Sequence, residues 1–377
     1  MNTPASIKFG EVAKFIRGIT FKPTDVVEPY SQGSAVCMRT KNIQTDLDQN
    51  DLIAIPKTFI KRKEQFLVEG DILVSSANSW ELVGKCSWVP KLAYEATAGG
   101  FISILRAEKK RVDARYLYHW LNLPQIQFKL RYCGRQTTNI SNLNFAQALE
   151  LEIPFPPLTE QKRISAILDK VDAIRRKRQQ AIKVADDFIH ATFLDMFGDI
   201  PAKISKHPFS PIRSYCEARS GKSSRSVLSK EKTDYPIYGG NGINGWATLP
   251  LYEEPVIVLG RVGQQCGIVH YTTGPAWVTD NAIVLKILDK RRLHPVYLAA
   301  ALQNSPLRAT VERLDLPFIN QTMVLDYPLP LPSIGEQNKY IRLVSRIMSI
   351  NSVETESLKK MNGLFNSLSQ RAFIGKL

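Results

Sequence analysis

The chain has 377 residues, more than one hydrophobic core usually serves, so its length predicts two domains of ordinary size. Hydrophobic residues make up 44% of it and charged residues 23%, a balance typical of globular proteins that excludes disordered and fibrous classes. Fifty Lys and Arg against 35 Asp and Glu leave a net charge of +15, which favours a polyanionic partner, nucleic acid above all.

The sequence has no sign of a membrane segment, a disulfide framework or a zinc cluster. No apolar run approaches the roughly 18 to 20 residues of a membrane span, and the first residues lack the regions of a signal peptide. We therefore expect a cytoplasmic protein without membrane contact. The cysteines are odd in number and show no C-x-x-C spacing, so reduced, mostly buried thiols are expected at Cys37, Cys86, Cys133, Cys216 and Cys266.

The first part of the chain is predicted to be mostly β. Short β-rich segments alternate with turn residues at 9–16, 35–39, 70–76, 82–89 and 100–105. Helical apolar spacing follows over 112–121, and a second short helix fits between Pro124 and Tyr132. A proline-rich strand over 151–157 closes this globule.

The same order then returns. The segment Ile-Pro-Phe-Pro-Pro-Leu-Thr-Glu-Gln at 153–161 recurs at 327–337, and Glu160 and Glu336 lie 176 positions apart. Between the copies, strands are predicted at 235–238, 256–260, 266–271 and 282–287, followed by a helix at 294–302. The chain is therefore predicted to be one duplicated unit, with a period too long for a solenoid.

A long helix is predicted after each proline segment. Prolines 156 and 157 cannot lie inside a helix, so the chain stays extended until Leu158, with Thr159 predicted to cap the first helix and Ser333 the second. A run of about 38 residues at 1.5 Å each is about 57 Å long, too long to be buried by one small domain. A narrow apolar stripe predicts one helical partner, and it is formed by Ile167, Val171, Ile174, Ala181, Ala185 and Phe188.

The other copy is the predicted partner of each helix. Antiparallel pairing of equal helices places their midpoints opposite each other, so Arg178 would lie beside its equivalent, Glu354, and form an ion pair. We predict an antiparallel coiled coil with pseudo-twofold symmetry. The residues 175–177 are predicted to face elsewhere, and the basic run 175–178 reads more simply as a solvated face than as a DNA contact.

The sequence lacks the motifs of catalysis. Ser220-Gly-Lys-Ser223 has Cys216 where a Walker A loop needs its first glycine, and the only Pro-Pro follows Phe155, not the Asn or Asp of amino-methyltransferases. No ligand-like spacing joins His119, His190, His207, His270 and His294. We therefore predict no catalytic residue and no metal site.

Residues suited to reading DNA lie at strand ends and in loops of both globules. Base edges are read by Arg, Asn and Gln, and phosphates are bound by Lys, Arg, Ser and Thr. In the first globule the candidates are Arg17, Lys22, Arg39, Lys41, Asn42, Asn78, Trp80, Lys85, Arg135, Thr137, Thr138 and Asn139. In the second they are Arg219, Lys222, Ser223, Arg225, Tyr238, Asn241, Asn244, Arg261, Gln264 and Gln265. Turn formation or a solvated charge is the alternative at each position, and 239–242 fits a tight turn.

Several segments together resemble the specificity subunits of type I restriction-modification systems. The resemblance covers almost the whole chain. It rests on Pro-Phe-Pro-Pro-Leu-Thr-Glu-Gln-Lys-Arg-Ile at 154–164 and on the segments 168–172, 193–199, 370–377, 235–245, 260–267 and 277–282.

This resemblance implies an α+β fold. Two mostly β target recognition domains with small helices, at 1–158 and 200–333, would be separated by long spacer helices at 159–199 and 334–377. It implies a subunit without catalysis or cofactors of its own, whose two domains each read one half of a bipartite, asymmetric site in double-stranded DNA.

The resemblance also implies partners. The helices would dock modification subunits, two in number, which bind S-adenosylmethionine and methylate adenine, and a restriction subunit would add ATP- and magnesium-dependent translocation and cleavage. The second proline segment reads as carrying one extra residue, and Ser345, Ser349 and Asn351 interrupt the helix after it, which predicts weaker partner binding there. Two other classes stay open: a stand-alone DNA-modifying enzyme with divergent motifs, and a scaffold whose globules bind protein.

Overall fold

Two units divide the chain, and each combines one globule with parts of both long helices. The computed structural model describes residues 5–136, 140–263, 266–305, 307 and 318–376. The first unit comprises Met1–Lys177 with Leu358–Leu377, and the second comprises Arg178–Ser357.

The first globule is built from short strands and three small helices. Its helices are α1 (Ala114–Leu121), α2 (Pro124–Tyr132) and α3 (Phe145–Leu149). Its strands are β1 (Ser6–Lys8), β2 (Ala13–Arg17), β3 (Ser34–Met38), β4 (Ile53–Pro56), β5 (Ile72–Ser75), β6 (Ala77–Asn78), β7 (Cys86–Trp88), β8 (Ala96–Ala98), β9 (Ile102–Ala107), β10 (Gly134–Gln136), β11 (Ser141–Leu143) and β12 (Glu152–Pro154). They form sheets in the orders β2-β9-β5-β7, β4-β3-β8, β10-β11-β6 and β1-β12.

The long helices are α4 (Leu158–Phe197) and α7 (Ile334–Phe373), and the second globule lies between them in sequence. Its described helices are α5 (Pro295–Gln303) and α6 (Gln321–Asp326). Its described strands are β13 (Phe209–Pro211), β14 (Cys216–Ser220), β15 (Leu228–Ser229), β16 (Tyr235–Gly239), β17 (Gly242–Ala247), β18 (Ile257–Gly260), β19 (Val269–Tyr271), β20 (Trp277–Val278), β21 (Ala282–Ile287) and β22 (Pro328–Pro330). The sheet orders are β14-β21-β18-β19, β15-β17-β16-β20 and β13-β22.

The two globules share one framework. The order β2-β9-β5-β7 recurs as β14-β21-β18-β19, and the parallel pair of β3 with β8 recurs as β16 with β20. Asn144 caps α3 by accepting a hydrogen bond from the Gln147 amide, and Asn320 caps α6 in the same way from the Met323 amide. These findings confirm the predicted fold class of two mostly β domains with small helices and a pair of long helices.

One buried glutamine in each copy ties a globule to its long helix. The Gln161 side chain accepts from the Asp113 amide at the start of α1 (2.9 Å) and donates to the Pro156 carbonyl (2.9 Å). Gln337 accepts likewise from the His294 amide (2.8 Å) and donates to the Pro332 carbonyl (2.9 Å). Both side chains are fully buried. The repeated Glu-Gln motif is therefore a clamp between the long helix and the small helix of the globule.

The long helices keep one register throughout. Both begin and end 176 positions apart, as do the strands β12 and β22 that precede them. The extra residue predicted in the second proline segment is therefore wrong. The Thr159 cap is also wrong, because α4 already starts at Leu158 and the Pro157 carbonyl accepts from Glu160 and Gln161. Ser333 does cap α7, since its hydroxyl accepts from the Glu336 amide while Glu336 bonds the Ser333 amide.

Within the second unit the long helices run antiparallel. Along α4, Arg178 contacts Glu354, Asp186 contacts Asn351, and Phe193 packs on Tyr340, so partner numbers fall as helix numbers rise. The predicted Arg178–Glu354 pair is confirmed, with 2.5 Å between Nη1 and Oε2. In the first unit Arg175 of α4 stacks 4.4 Å over the ring of Phe365.

The predicted stripe is partly wrong. Ile174, Ala181 and Phe188 are exposed, and the side of α4 that packs runs through Ile164, Leu168, Ile182, Ala185, Ile189 and Phe193. Arg175, predicted to face away, lies on the packed side and covers Phe365 with its guanidinium. An arginine stem and planar head can fill such a position, which a simple apolar count overlooks.

Reversing the charge of Arg178 should weaken the helix pair. In Arg178→Glu the carboxylate would face Glu354, and because both side chains are about one-third exposed we expect a loss of only about 1 kcal/mol. The double variant Arg178→Glu/Glu354→Arg should recover most of it. Urea denaturation, followed by hydrogen exchange of peptides from α4 and α7, measures the stability of the helix pair. A double variant that is no more stable than Arg178→Glu would contradict the geometry.

A charged network binds the first globule to α4. Asp169 accepts from Arg115 Nε (3.0 Å) and lies 2.7 Å from His119 Nε2, while Asp172 accepts from both Arg175 and Arg176 (2.6 Å each). Burial alone would raise the pKa of the Asp169 carboxyl, but the bonds to His119 and Arg115 outweigh it and lower the pKa to about 2.

Stability of the first unit should therefore depend on Asp169 in acid. Its folded pKa is depressed, so its contribution is present above the usual value near 3.8 and is lost as pH falls toward 2. Because the carboxyl is about one-third exposed, we expect about 1 kcal/mol of difference between wild type and Asp169→Asn to disappear across that window. Unfolding curves at pH 5 and pH 2.5 test this, with exposed Asp187→Asn as the control. A gap as large at pH 2.5 as at pH 5 would contradict it.

Candidate nucleic-acid interface

Loops of the first globule converge at one end of the sheet β2-β9-β5-β7. The turn 99–101 holds them together, since the Gly99 amide donates to the Met38 carbonyl (2.9 Å) and the Phe101 carbonyl accepts from Ser76 and Ala77 (2.9 and 3.2 Å). Here Arg17 ends β2 beside a cavity of about 670 Å³, whose polar lining includes Ser76, Ser103, Asn142 and Asn144. We call this end of the first globule the first loop face.

The second globule has the same arrangement. Its turn 279–281 is hydrogen-bonded to the ends of three strands. After β14 the Lys222 amide donates to the Val278 carbonyl (2.9 Å), and at β16 the Thr279 amide donates to the Tyr238 carbonyl (2.9 Å). After β18 the Arg261 amide donates to the Asn281 carbonyl (3.1 Å). The hairpin 239–242 lies against the end of β18, where a Cβ on Gly240 would stand 3.1 Å from the Gly260 Cα. We call this end the second loop face.

The two loop faces carry different side chains at equivalent positions of the same framework. The bond from Gly99 to Met38 matches the bond from Thr279 to Tyr238, so the loop 39–42 and the hairpin 239–242 occupy equivalent places. The first loop is Arg-Thr-Lys-Asn and the second is Gly-Gly-Asn-Gly. The tight turn considered for 239–242 is confirmed, since Gly239 pairs with Gly242 and leaves Gly240 and Asn241 as a two-residue turn.

The structure brings some first-globule candidates together and separates others. Arg17, Arg39 and Lys41 lie at the first loop face, and Arg39 donates to Asp51 (2.8 Å), which Lys41 also contacts. Lys22 is exposed at a turn, and Asn78 ends β6, where its Nδ2 donates to the Ser75 hydroxyl (3.1 Å). Lys85 instead lines a cavity beside α4 with Asp172 and Arg175, and Trp80 packs on Tyr132. The backbone of Arg135 lies in β10, and Thr137, Thr138 and Asn139 fall outside the described residues.

Asn42 has a different role from the predicted one. It is fully buried, its Oδ1 accepts from the Arg39 amide (2.8 Å), and its Nδ2 donates to the Asp48 and Asp51 carbonyls (3.0 and 3.1 Å). With its amide engaged in this way, Asn42 shapes the loop that presents Arg39 and Lys41.

The second-globule candidates are mostly exposed at the second loop face. They comprise Lys222, Ser223, Arg225, Asn241, Asn244 and Arg261, while Arg219 lies in β14 and pairs with Glu217 (3.1 Å). Tyr238 is buried under the hairpin, and that burial raises the pKa of its hydroxyl. Gln264 and Gln265 lie outside the described residues.

The cysteines and the other potential metal ligands offer no further chemistry among the described residues. Across the described part of the chain, no three His, Cys, Asp or Glu side chains are grouped to hold a metal ion, and no helix is long and apolar enough to cross a membrane. All five cysteines are free thiols, four of them buried, and burial raises the pKa of Cys37, Cys86 and Cys216 to about 12. These thiols therefore stay neutral.

Comparison with known proteins decides the family. A family model described as the type I restriction modification DNA specificity domain matches residues 5–184 and 208–362. The chain belongs to this family. Specificity subunits of the family are non-catalytic, in agreement with the missing motifs of the sequence.

Individual members agree with this assignment. The specificity subunit of the type I restriction enzyme EcoKI from Escherichia coli K12 is 28% identical over 61% of this chain and 50% of its own length. That of MjaVIII from Methanocaldococcus jannaschii is 22% identical over 94% of this chain and 89% of its own. The chain thus spans about half of the first relative. A crystal structure of a type I S subunit from M. genitalium has the same fold, with a TM-score of 0.69 at 16% identity over 99% of both chains.

Polar residues that sequence reasoning missed also lie at the two faces. Asn142 and Asn144 line the first cavity, and His270 lies 3.4 Å from the Gly240 carbonyl behind the second hairpin. For Asn144 a signal existed, because Asn144 holds the same place as Asn320, 176 positions later in the duplicated unit. His270 had none, since only the pairing of β18 with β19 places it there.

Proposed function

We propose that this chain is the DNA-recognition subunit of a type I restriction-modification complex, in which each globule reads one half of a bipartite, asymmetric site in double-stranded DNA. One observation carries the proposal: two equal frameworks present unlike loops at equivalent places, Arg39–Asn42 in one and Gly239–Gly242 in the other. Equal frameworks with unlike loops suit the reading of two different sequences by one mode of docking. In this proposal the target recognition domains are residues 1–158 and 200–333, and the spacer helices are residues 159–199 and 334–377.

The charge of the chain fits this role. Basic and amide side chains at both loop faces would contact phosphates and base edges, and the net charge of +15 would draw the chain to DNA. Binding of the purified chain to duplex DNA should then fall steeply with salt, whereas a protein-binding scaffold would show little salt dependence. Methyl transfer to DNA by the purified chain alone would favour a stand-alone enzyme instead.

The long helices are proposed to dock two modification subunits. Exposed apolar side chains recur at equivalent positions of α4 and α7: Ile174 and Ile350 are 49% and 56% exposed, and Phe188 and Leu364 are 51% and 55% exposed. Matched apolar positions on two helices suit two copies of one partner, because each copy would meet the same surface. In this proposal the modification subunits bind S-adenosylmethionine and methylate adenine, and a restriction subunit uses ATP and magnesium, all within the cytoplasm.

Single substitutions separate these two docking sites. Ile174→Glu should remove one modification subunit and Ile350→Glu the other, because each would bury a charge in an apolar contact. Mass measurement of the co-expressed complex should give one copy with either variant and none with both. Met348→Glu provides a control, since Met348 is also exposed on α7 but lies nearly opposite Ile350 around the helix, and its equivalent in α4 is Asp172. Wild-type stoichiometry in the double variant would contradict the assignment.

A further inference from the structure

A row of two exposed aromatic side chains and one partly buried tryptophan borders the sheet β10-β11-β6 of the first globule. Phe128 and Tyr132 lie one turn apart on α2 with their ring centres 4.4 Å apart, and Trp80 meets Tyr132 edge-on at 5.2 Å. Phe128 is 56% exposed and Tyr132 is 64% exposed. Contacting rings that remain this exposed mark an interaction surface rather than a core.

The charge around the row selects a polyanion as its partner. From Ala114 to Leu149 the chain has 36 residues without a single Asp or Glu, and this stretch contains Arg115, Lys129, Arg131 and Arg135. Lys129 and Arg131 lie between Phe128 and Tyr132 in the sequence of α2 itself. One acidic side chain does occur in the neighbouring loop, Glu81 next to Trp80, and Lys129 and Arg131 outnumber it.

The position of the row joins it to the proposed reading surface. Trp80 follows β6 by two residues and Tyr132 precedes β10 by two, and both strands pair with β11, whose Asn142 lines the cavity of the first loop face. DNA bound at the first loop face would therefore pass close to the rings.

We propose that the aromatic row Phe128–Tyr132–Trp80 binds an unstacked base step of DNA at the border of the first half-site. The faces of bases in an intact duplex are covered by their neighbours, so aromatic rings gain a stacking partner only where a step is opened or kinked. Lys129 and Arg131 hold the flanking phosphates. This inference rests on the proposed function, since a methyltransferase partner must take its target base out of the stack.

Binding of the full-length chain to two labelled duplexes tests the proposal. One is a fully paired 30-mer of mixed sequence, and the other has the same sequence with a central two-base mismatch that unstacks easily. Wild type should bind the mismatched duplex roughly tenfold more tightly, which is the gain in affinity expected from stacking one base on an aromatic ring. Phe128→Ser/Tyr132→Ser should lose this preference and keep its affinity for the paired duplex. Tyr30→Ser, at an equally exposed tyrosine beside Tyr94, should behave as wild type.

Other outcomes are distinct. Equal binding of both duplexes by wild type, or an unchanged preference in the double variant, would overturn the aromatic contact while leaving DNA recognition in place. Loss of a co-expressed modification subunit by the double variant, with its mismatch preference intact, would assign the row to a protein partner and overturn the proposal. A chain that binds neither duplex at low salt would instead overturn the proposed function.

Discussion

Gly221→Ala should strongly destabilise the sheet β14-β21-β18-β19 of the second globule. A Cβ at this position would lie 2.3 Å from the carbonyl oxygens of both Val278 and Thr279, and no side-chain movement can relieve a clash with backbone. The strand end after β14 would have to separate from the turn that gathers the second loop face. We expect a loss of about 3 kcal/mol or more, at the upper end of single substitutions.

Hydrogen exchange of peptides from β14 and β21 measures this loss locally. The matched control is Gly274→Ala in the same globule, where an added Cβ meets no atom within 4 Å and little change is expected. Gly18 repeats the situation in the first globule, since its Cβ would lie 2.2 Å from the Gly99 oxygen. Equal protection of β14 in both alanine variants would show that the close approach at Gly221 is not required.

Gln161→Leu should loosen the first globule from α4. Leucine has nearly the same volume, but it leaves the buried Asp113 amide and the Pro156 carbonyl without their partners. An unsatisfied buried group costs about 1–3 kcal/mol, so we expect about 3 kcal/mol for the pair. Gln337→Leu should cost more, because Gln337 also donates to the Arg292 carbonyl (2.9 Å).

Thermal unfolding combined with hydrogen exchange of α1 and α5 separates the two clamps. Each variant should expose the helix of its own globule and leave the other protected. Gln179→Leu makes the same chemical change at an exposed position of α4 and should be close to neutral. If Gln161→Leu and Gln179→Leu were equally stable, the Glu-Gln motif would need another explanation.

The sequence predicted the framework because the framework is repeated. The proline strands, the long helices and the Arg178–Glu354 pair follow from one offset of 176 positions between the copies. Because each pattern occurs twice at this offset, it could be recognised with more certainty than a pattern that occurs once. The sequence could not show that Gln161 and Gln337 bond across to the globules, since the partners are backbone groups far away in the chain. It also placed Ile174 and Phe188 in the helix seam, because an apolar count does not reveal which face Arg175 occupies.

The loops were harder to interpret from sequence. Asn42 belongs to a residue type that reads base edges. In the structure, however, it is buried, and its side chain bonds the backbone of its own loop. The strand β17 was missed because Gly242 and Gly245 weaken its β pattern, and only pairing with β15 and β16 fixes it. Loop chemistry depends on contacts between distant segments, so single-residue patterns cannot separate contact residues from shaping residues.

Exchange of residues 200–333 for the corresponding globule of another family member, followed by genome-wide mapping of methylated adenines, tests the central claim most directly. The chimera is co-expressed with the modification subunit and compared with wild type. Two independent reading heads predict a bipartite motif in which one half changes and the other half stays as it was. Methylation at a single undivided motif, or a change in both halves, would contradict the account.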